Sequence, residues 1–152
     1  MSAAIQAEVL TRGITRLCHF TPARNLAHIA SEGSGLLAVS CLTSNERAIF
    51  NSTDLRRLDG YSDYICCSIQ YPNAWYFQTA RCRETLFRDW VVLFVKSDYL
   101  WHSGTKFCPR NAASGAGRGI GEGQACFQSL FESSVVGANQ RRFSRGFSHP
   151  SW

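Results

Sequence analysis

Residues 14–37, ITRLCHFTPARNLAHIASEGSGLL, constrain the fold more than any other stretch of the chain. They open short and apolar, as a strand does, and place His19, Phe20 and Thr21 where that strand should end. Pro22 follows, and Leu26, Ile29 and Ala30 fall on one face of a helix predicted over residues 23–31. Proline suits a first helical turn, where its missing N–H would go unpaired anyway, and Thr21 stands in the N-cap position. Glu32 and Gly33 close the unit, with Gly33 or Gly35 free to take a left-handed cap. A strand end feeding a helix N-terminus suits an anion or a nucleotide. On shape alone a buried strand with an ordinary cap is the commoner reading.

The chain is 152 residues long, enough for one domain with a real core, and 45% of it is hydrophobic, which argues for a folded protein. No apolar run approaches the ~18 residues of a membrane span, so no membrane partner is expected. The first 13 residues lack the basic start and long apolar centre of a secretory signal and read as a short leader. Seven cysteines include no CxxC pair, and Cys66 and Cys67 are adjacent. Zinc spacing is absent and an odd count cannot close a full disulfide framework, so mostly buried, reduced thiols in a cytoplasmic protein are expected. The net charge of +5 suggests an acidic partner. Three of the positive charges, Arg141, Arg142 and Arg145, lie in a tail without acids, and the rest of the chain is ordinary.

Taken in order, residues 36–40 read as a second short strand. Residues 43–59 read as a long polar loop with a helical turn near 46–50, ending in DLRRLDG, where Arg56 and Arg57 are adjacent. Residues 64–71, YICCSIQY, read as a buried strand stopped by Pro72. Asn73 can cap a helix through Trp75, Tyr76, Phe77 and Arg81, whose aromatics suit a core better than a stacking platform. Residues 89–95, DWVVLFV, form the strongest strand, and five consecutive apolar residues predict a central strand covered on both faces. Residues 105–108 suit another strand. Residues 111–123, NAASGAGRGIGEG, fail the dinucleotide and P-loop patterns and read as a mobile loop anchored at Asn111. A helix over 122–131 would turn Phe127, Leu130 and Phe131 inward, and residues 137–152 read as a disordered tail.

No GxSxG is present, and His19, His28, His102 and His149 show no metal spacing, so no metal is expected. What remains is a strand-end His/Thr pair, an Arg-bearing loop and a Gly-rich loop on an α+β frame. That set suits a phosphorylated, planar ligand.

Four ordered blocks, HFTPARNLAHI, RLDGYSDYICCSIQYPN, FRDWVVLFV and PRNAAS, resemble the DarT family of nucleic-acid ADP-ribosyltransferase toxins over about residues 14–136. The resemblance implies a single-domain α+β fold in which a split pair of small β-sheets with flanking helices grips NAD. It implies transfer of ADP-ribose from NAD to a base, usually in single-stranded DNA, and an antitoxin that opposes the toxin. By resemblance, His19, Phe20, Thr21, Asn25 and Leu36 bind the cofactor, and Arg57 is catalytic. Asn73, Tyr76, Arg81 and Asn111 fall where the family meets nucleic acid. Nicotinamide departure leaves positive charge on the ribose, as in glycoside cleavage, and a carboxylate must answer it. An unstacked base costs little in a single strand. The family's block bearing its catalytic Glu has no counterpart here, and Glu122 and Glu132 are the nearest carboxylates. A truncated member is therefore expected, with an inactive remnant that binds NAD, nucleic acid or an antitoxin as the alternative.

Overall fold

The computed structural model describes residues 1–31, 33, 35–49, 57–84, 88–136 and 142–144. They mix helix and small antiparallel sheets, an α+β arrangement. Two compact units emerge: Met1–Glu8 with Leu58–Gly60 and Asp98–Trp152, and Val9–Arg57 with Tyr61–Ser97.

The leader forms a nine-residue helix, α1 (Ala3–Thr11). It ends in a Schellman motif: Gly13, at φ 64°, donates to the Leu10 carbonyl, and Ile14 donates to that of Val9. The chain then enters β1 (Arg16–Pro22), which runs antiparallel to β3 (Trp90–Lys96) in the second unit, from Arg16 opposite Lys96 to Pro22 opposite Trp90. A two-residue strand, β2 (Ser68–Ile69), flanks the other side, giving the order β2-β1-β3. Among the described residues the predicted central strand is thus an edge strand, and β1 is the centre. Phe94 in β3 is 64% exposed, so the apolar run does not signal two covered faces.

Pro22 leads into a 3-10 turn, Ala23–Asn25, and one turn of helix, α2 (Leu26–Ile29). Thr21 does not cap it; its hydroxyl is engaged by the Asn25 side chain instead. Gly33 and Gly35 take the left-handed conformations foreseen. Residues 36–40 form no strand and lead into a 3-10 turn, Val39–Cys41. In α3 (Ser44–Ile49), Thr43 and Glu46 make a reciprocal capping box: the Thr43 N–H donates to Glu46 Oε2 at 2.6 Å and the Glu46 N–H to Thr43 Oγ1 at 3.3 Å. Arg56 lies outside the described residues.

Only Ser68 and Ile69 of the predicted strand 64–71 enter the ladder. Gln70, at φ 63°, turns the chain away from it. Its side chain accepts from Thr15 N and Oγ1, each at 3.1 Å, and donates to the Gly13 carbonyl at 3.1 Å. The helix predicted after Pro72 is α4 (Ala74–Arg83), with Asn73 as its cap.

In the first unit, β4 (Lys106–Phe107) pairs with β5 (Gly121–Glu122) and leads into α5 (Gly123–Ser129). Phe127 is fully buried, with ring centroids 5.3 Å from Phe107 and 5.2 Å from Phe131. Burying such a ring stabilises by about 1.5–3 kcal/mol. The Gly-rich segment is a run of consecutive turns around Arg110. A Cβ on Gly119 would stand 3.1 Å from Arg110 Nε, so glycine permits that close approach. Beyond Val136 the chain returns: β6 (Ser134–Val136) pairs with β7 (Arg142–Ser144), so the expected tail contributes a strand. Residues 145–152 lie outside the described residues.

None of the seven cysteines forms a disulfide, but only Cys18 is buried, while Cys41, Cys66, Cys67 and Cys82 are exposed. The expectation of mostly buried thiols fails. Among the described residues no helix is long and apolar enough to cross a membrane, and no cluster of His, Cys, Asp or Glu is fit to hold a metal.

Candidate functional site

Side chains alternate across β1, so Leu17, His19 and Thr21 share one face and Arg16, Cys18, Phe20 and Pro22 the other. Predicted cofactor residues therefore divide. On the first face the Asn25 amide donates to Thr21 Oγ1 at 2.8 Å, and both residues are buried. The Asn25 Oδ1 atom is buried without a partner among the described residues.

His19 is half-buried, and its Nδ1 stands 2.9 Å from the Cys66 carbonyl oxygen. A carbonyl only accepts, so Nδ1 carries the proton. Burial pushes the imidazole pKa below its usual 6.5, and the Cys66 carbonyl opposes that in part. The neutral ring then keeps Nε2 as an acceptor.

Arg57 stands at φ 39°, in the left-handed region. Its Nη1 donates to the Tyr64 carbonyl at 2.8 Å and its Nη2 to that of Tyr61. Tyr61 and Tyr64 pack edge to face with centroids 5.5 Å apart. One segment, ending at the Cys66 carbonyl, thus holds both the Arg57 guanidinium and the His19 ring. Leu36 is half-buried, two residues before the buried Ala38.

Phe20 faces the other way. Its ring lies 5.8 Å from Tyr76, 4.8 Å from Phe77 and 6.2 Å from Trp90. Of the nucleic-acid candidates, Tyr76 belongs to this cluster and the exposed Arg81 lies over Phe77 at 5.6 Å. The Asn73 side-chain oxygen accepts from the Tyr76 N–H at 3.0 Å and caps α4. Asn111 belongs to the other unit, and its Oδ1 accepts from the Ala113 N–H at 3.0 Å in a local turn. Glu122 and Glu132 also belong to that unit, and Glu122 is paired with Lys106. The partners that sequence reasoning missed are mainly backbone: the carbonyls of Cys66, Tyr61 and Tyr64, which no side-chain pattern announces.

The Asn25 oxygen, the Thr21 hydroxyl and the His19 Nε2 are the polar atoms that β1 and the turn after it contribute on this face. No curated protein matches the chain. The family model for the ssDNA thymidine ADP-ribosyltransferase DarT matches residues 18–145, which run from Cys18 within β1 to just past β7 and contain all four sequence blocks. With most of its length covered by that match, the chain belongs to the DarT family of NAD-dependent, single-stranded-DNA ADP-ribosyltransferases.

Proposed function

We propose that this chain transfers ADP-ribose from NAD to thymidine in single-stranded DNA, with NAD held on the His19, Thr21 and Asn25 face of β1. The observation that carries the reading is the buried Asn25 Oδ1, which meets no partner among the described residues and so favours a bound donor. NAD supplies the ADP-ribosyl group, with nicotinamide leaving. Asn25 Oδ1 accepts from a hydroxyl or amide of the cofactor, and the Thr21 hydroxyl, already accepting from Asn25, donates. His19 offers Nε2 as an acceptor while Cys66 fixes its tautomer. Arg57 is the residue poised toward the acceptor strand, where a guanidinium holds phosphate or base and favours loss of the base proton. Tyr76 and Arg81 supply an aromatic and a cation on the Phe20 side for neighbouring nucleotides.

Binding without transfer is the second reading. The tie of Arg57 to two backbone carbonyls favours it, because those bonds hold the guanidinium within its own loop. An antitoxin that opposes the toxin and a reducing, cytoplasmic setting, supported by seven cysteines of which none forms a disulfide, complete the proposal. The test is NAD titration of wild type and Asn25→Ala, alongside a mass-spectrometric search for ADP-ribose on a thymidine-containing oligonucleotide. Binding that depends on Asn25, together with transfer, supports the reading; binding without transfer supports the second.

A further inference from the structure

The face of the β2-β1-β3 sheet that carries Phe20 is covered at one end by α4, through the Phe20, Phe77 and Trp90 rings. Its other end is open. There Phe94 is 64% exposed and Tyr71, just past β2, is 72% exposed. The Arg16 guanidinium sits 4.4 Å from the Phe94 centroid and 5.8 Å from that of Tyr71. Its Nε donates to the Gln70 carbonyl at 3.1 Å, which fixes it between the rings. Lys96 pairs with Arg16 across the strands and adds a second cation. The sequences of the three strands, RLCHFTP, SI and WVVLFVK, contain no acid.

Exposed rings of this size are costly in water unless they serve a partner. A protein core partner would want apolar neighbours, whereas two cations beside two exposed rings suit the phosphates and bases of a single strand. We infer that Arg16, Tyr71, Phe94 and Lys96 form an accessory single-strand site, distinct from the cofactor face of β1, that stacks bases flanking the modified nucleotide. It rests on the transferase reading only for the identity of the strand. The site would make affinity depend on oligonucleotide length, because a short acceptor cannot fill both places.

The experiment compares wild type with the Tyr71→Ala/Phe94→Ala double variant. Both rings are exposed, so thermal melting should be nearly unchanged. Fluorescence anisotropy is read on labelled single strands of about 4 and about 16 nucleotides, lengths that bracket the common single-strand site sizes. For the longer strand the double variant should bind about 5- to 100-fold more weakly, as expected for losing base–aromatic stacking. The short strand should bind both proteins alike and still accept ADP-ribose from both. Lys96→Gln should lower the salt slope for the longer strand by about 0.7. Equal affinity of wild type and double variant for the longer strand overturns the site while leaving the transferase reading intact. So does loss of a dimer in the double variant, by sedimentation velocity, with unchanged DNA affinity, since the face would then belong to a second copy. Wild type that neither binds nor modifies either strand overturns both.

Discussion

The Asn25 amide donates to the Thr21 hydroxyl at 2.8 Å, yet the carbonyl oxygen of the same buried side chain meets no partner among the described residues. The proposed cofactor would supply the missing partner. Asn25→Ala should weaken NAD binding about tenfold, the ~1.4 kcal/mol scale of one good hydrogen bond. Calorimetric titration reads it. Unchanged affinity would return Asn25 to a purely local role beside Thr21.

Arg57 joins a loop to itself through the Tyr61 and Tyr64 carbonyls, besides its proposed role at the acceptor strand. Arg57→Ala should lower transfer by about 10²–10³-fold, the usual effect of removing one aimed charge-stabilising donor. It should also destabilise by about 1.5–3 kcal/mol, since two carbonyl bonds to a charged group are lost. Arg57→Lys keeps the charge without the fork and should recover little. Single-turnover rates per folded molecule separate the two roles: a normal rate in Arg57→Ala would leave only a loop clamp.

His19 gives stability a pH dependence of definite sign. Burial lowers its pKa in the folded chain below the usual 6.5. The unfolded chain therefore binds more protons between the two values, and stability rises with pH across that window. The contribution is complete above 6.5 and is lost as pH falls through 6.5 toward the folded value. Urea unfolding of wild type against His19→Gln, on both sides of that pH, should show the steeper rise in wild type. Parallel profiles would place the His19 ring in water.

Asn73 should behave as a cap. Asn73→Ala removes the acceptor for the Tyr76 N–H and should cost about 1 kcal/mol, while Asn73→Ser should be nearly neutral. For a chain of this size that is a melting shift of about 2–4 °C. A large loss of DNA affinity at unchanged melting would restore Asn73 to the nucleic-acid surface.

What the sequence made legible is what local pattern encodes. The run over Val91–Val95 and the Pro22 boundary mark β3 and the end of β1, and Asn73 after Pro72 marks the start of α4. The first helix had a signal that went unread: Ile5 and Val9 are one turn apart, both are buried, and Gly13 supplies the stop. The strand predicted over residues 64–71 fails for a reason no periodicity contains, the left-handed Gln70 whose amide clasps Thr15 and Gly13. The site was legible as residue types and not as an arrangement. His19 meets a carbonyl 47 residues away, and Phe20, its chain neighbour, points to the opposite face. Strand alternation could have separated the two; the carbonyl partners could not have been foreseen.

The most direct test incubates the purified chain with NAD and a thymidine-containing single-stranded oligonucleotide, with Arg57→Ala in parallel, and weighs the DNA by mass spectrometry. Wild type should add the mass of one ADP-ribose, a gain lost or strongly reduced with Arg57→Ala. No gain from a folded, NAD-binding wild type, or an equal gain from both proteins, would contradict the proposal.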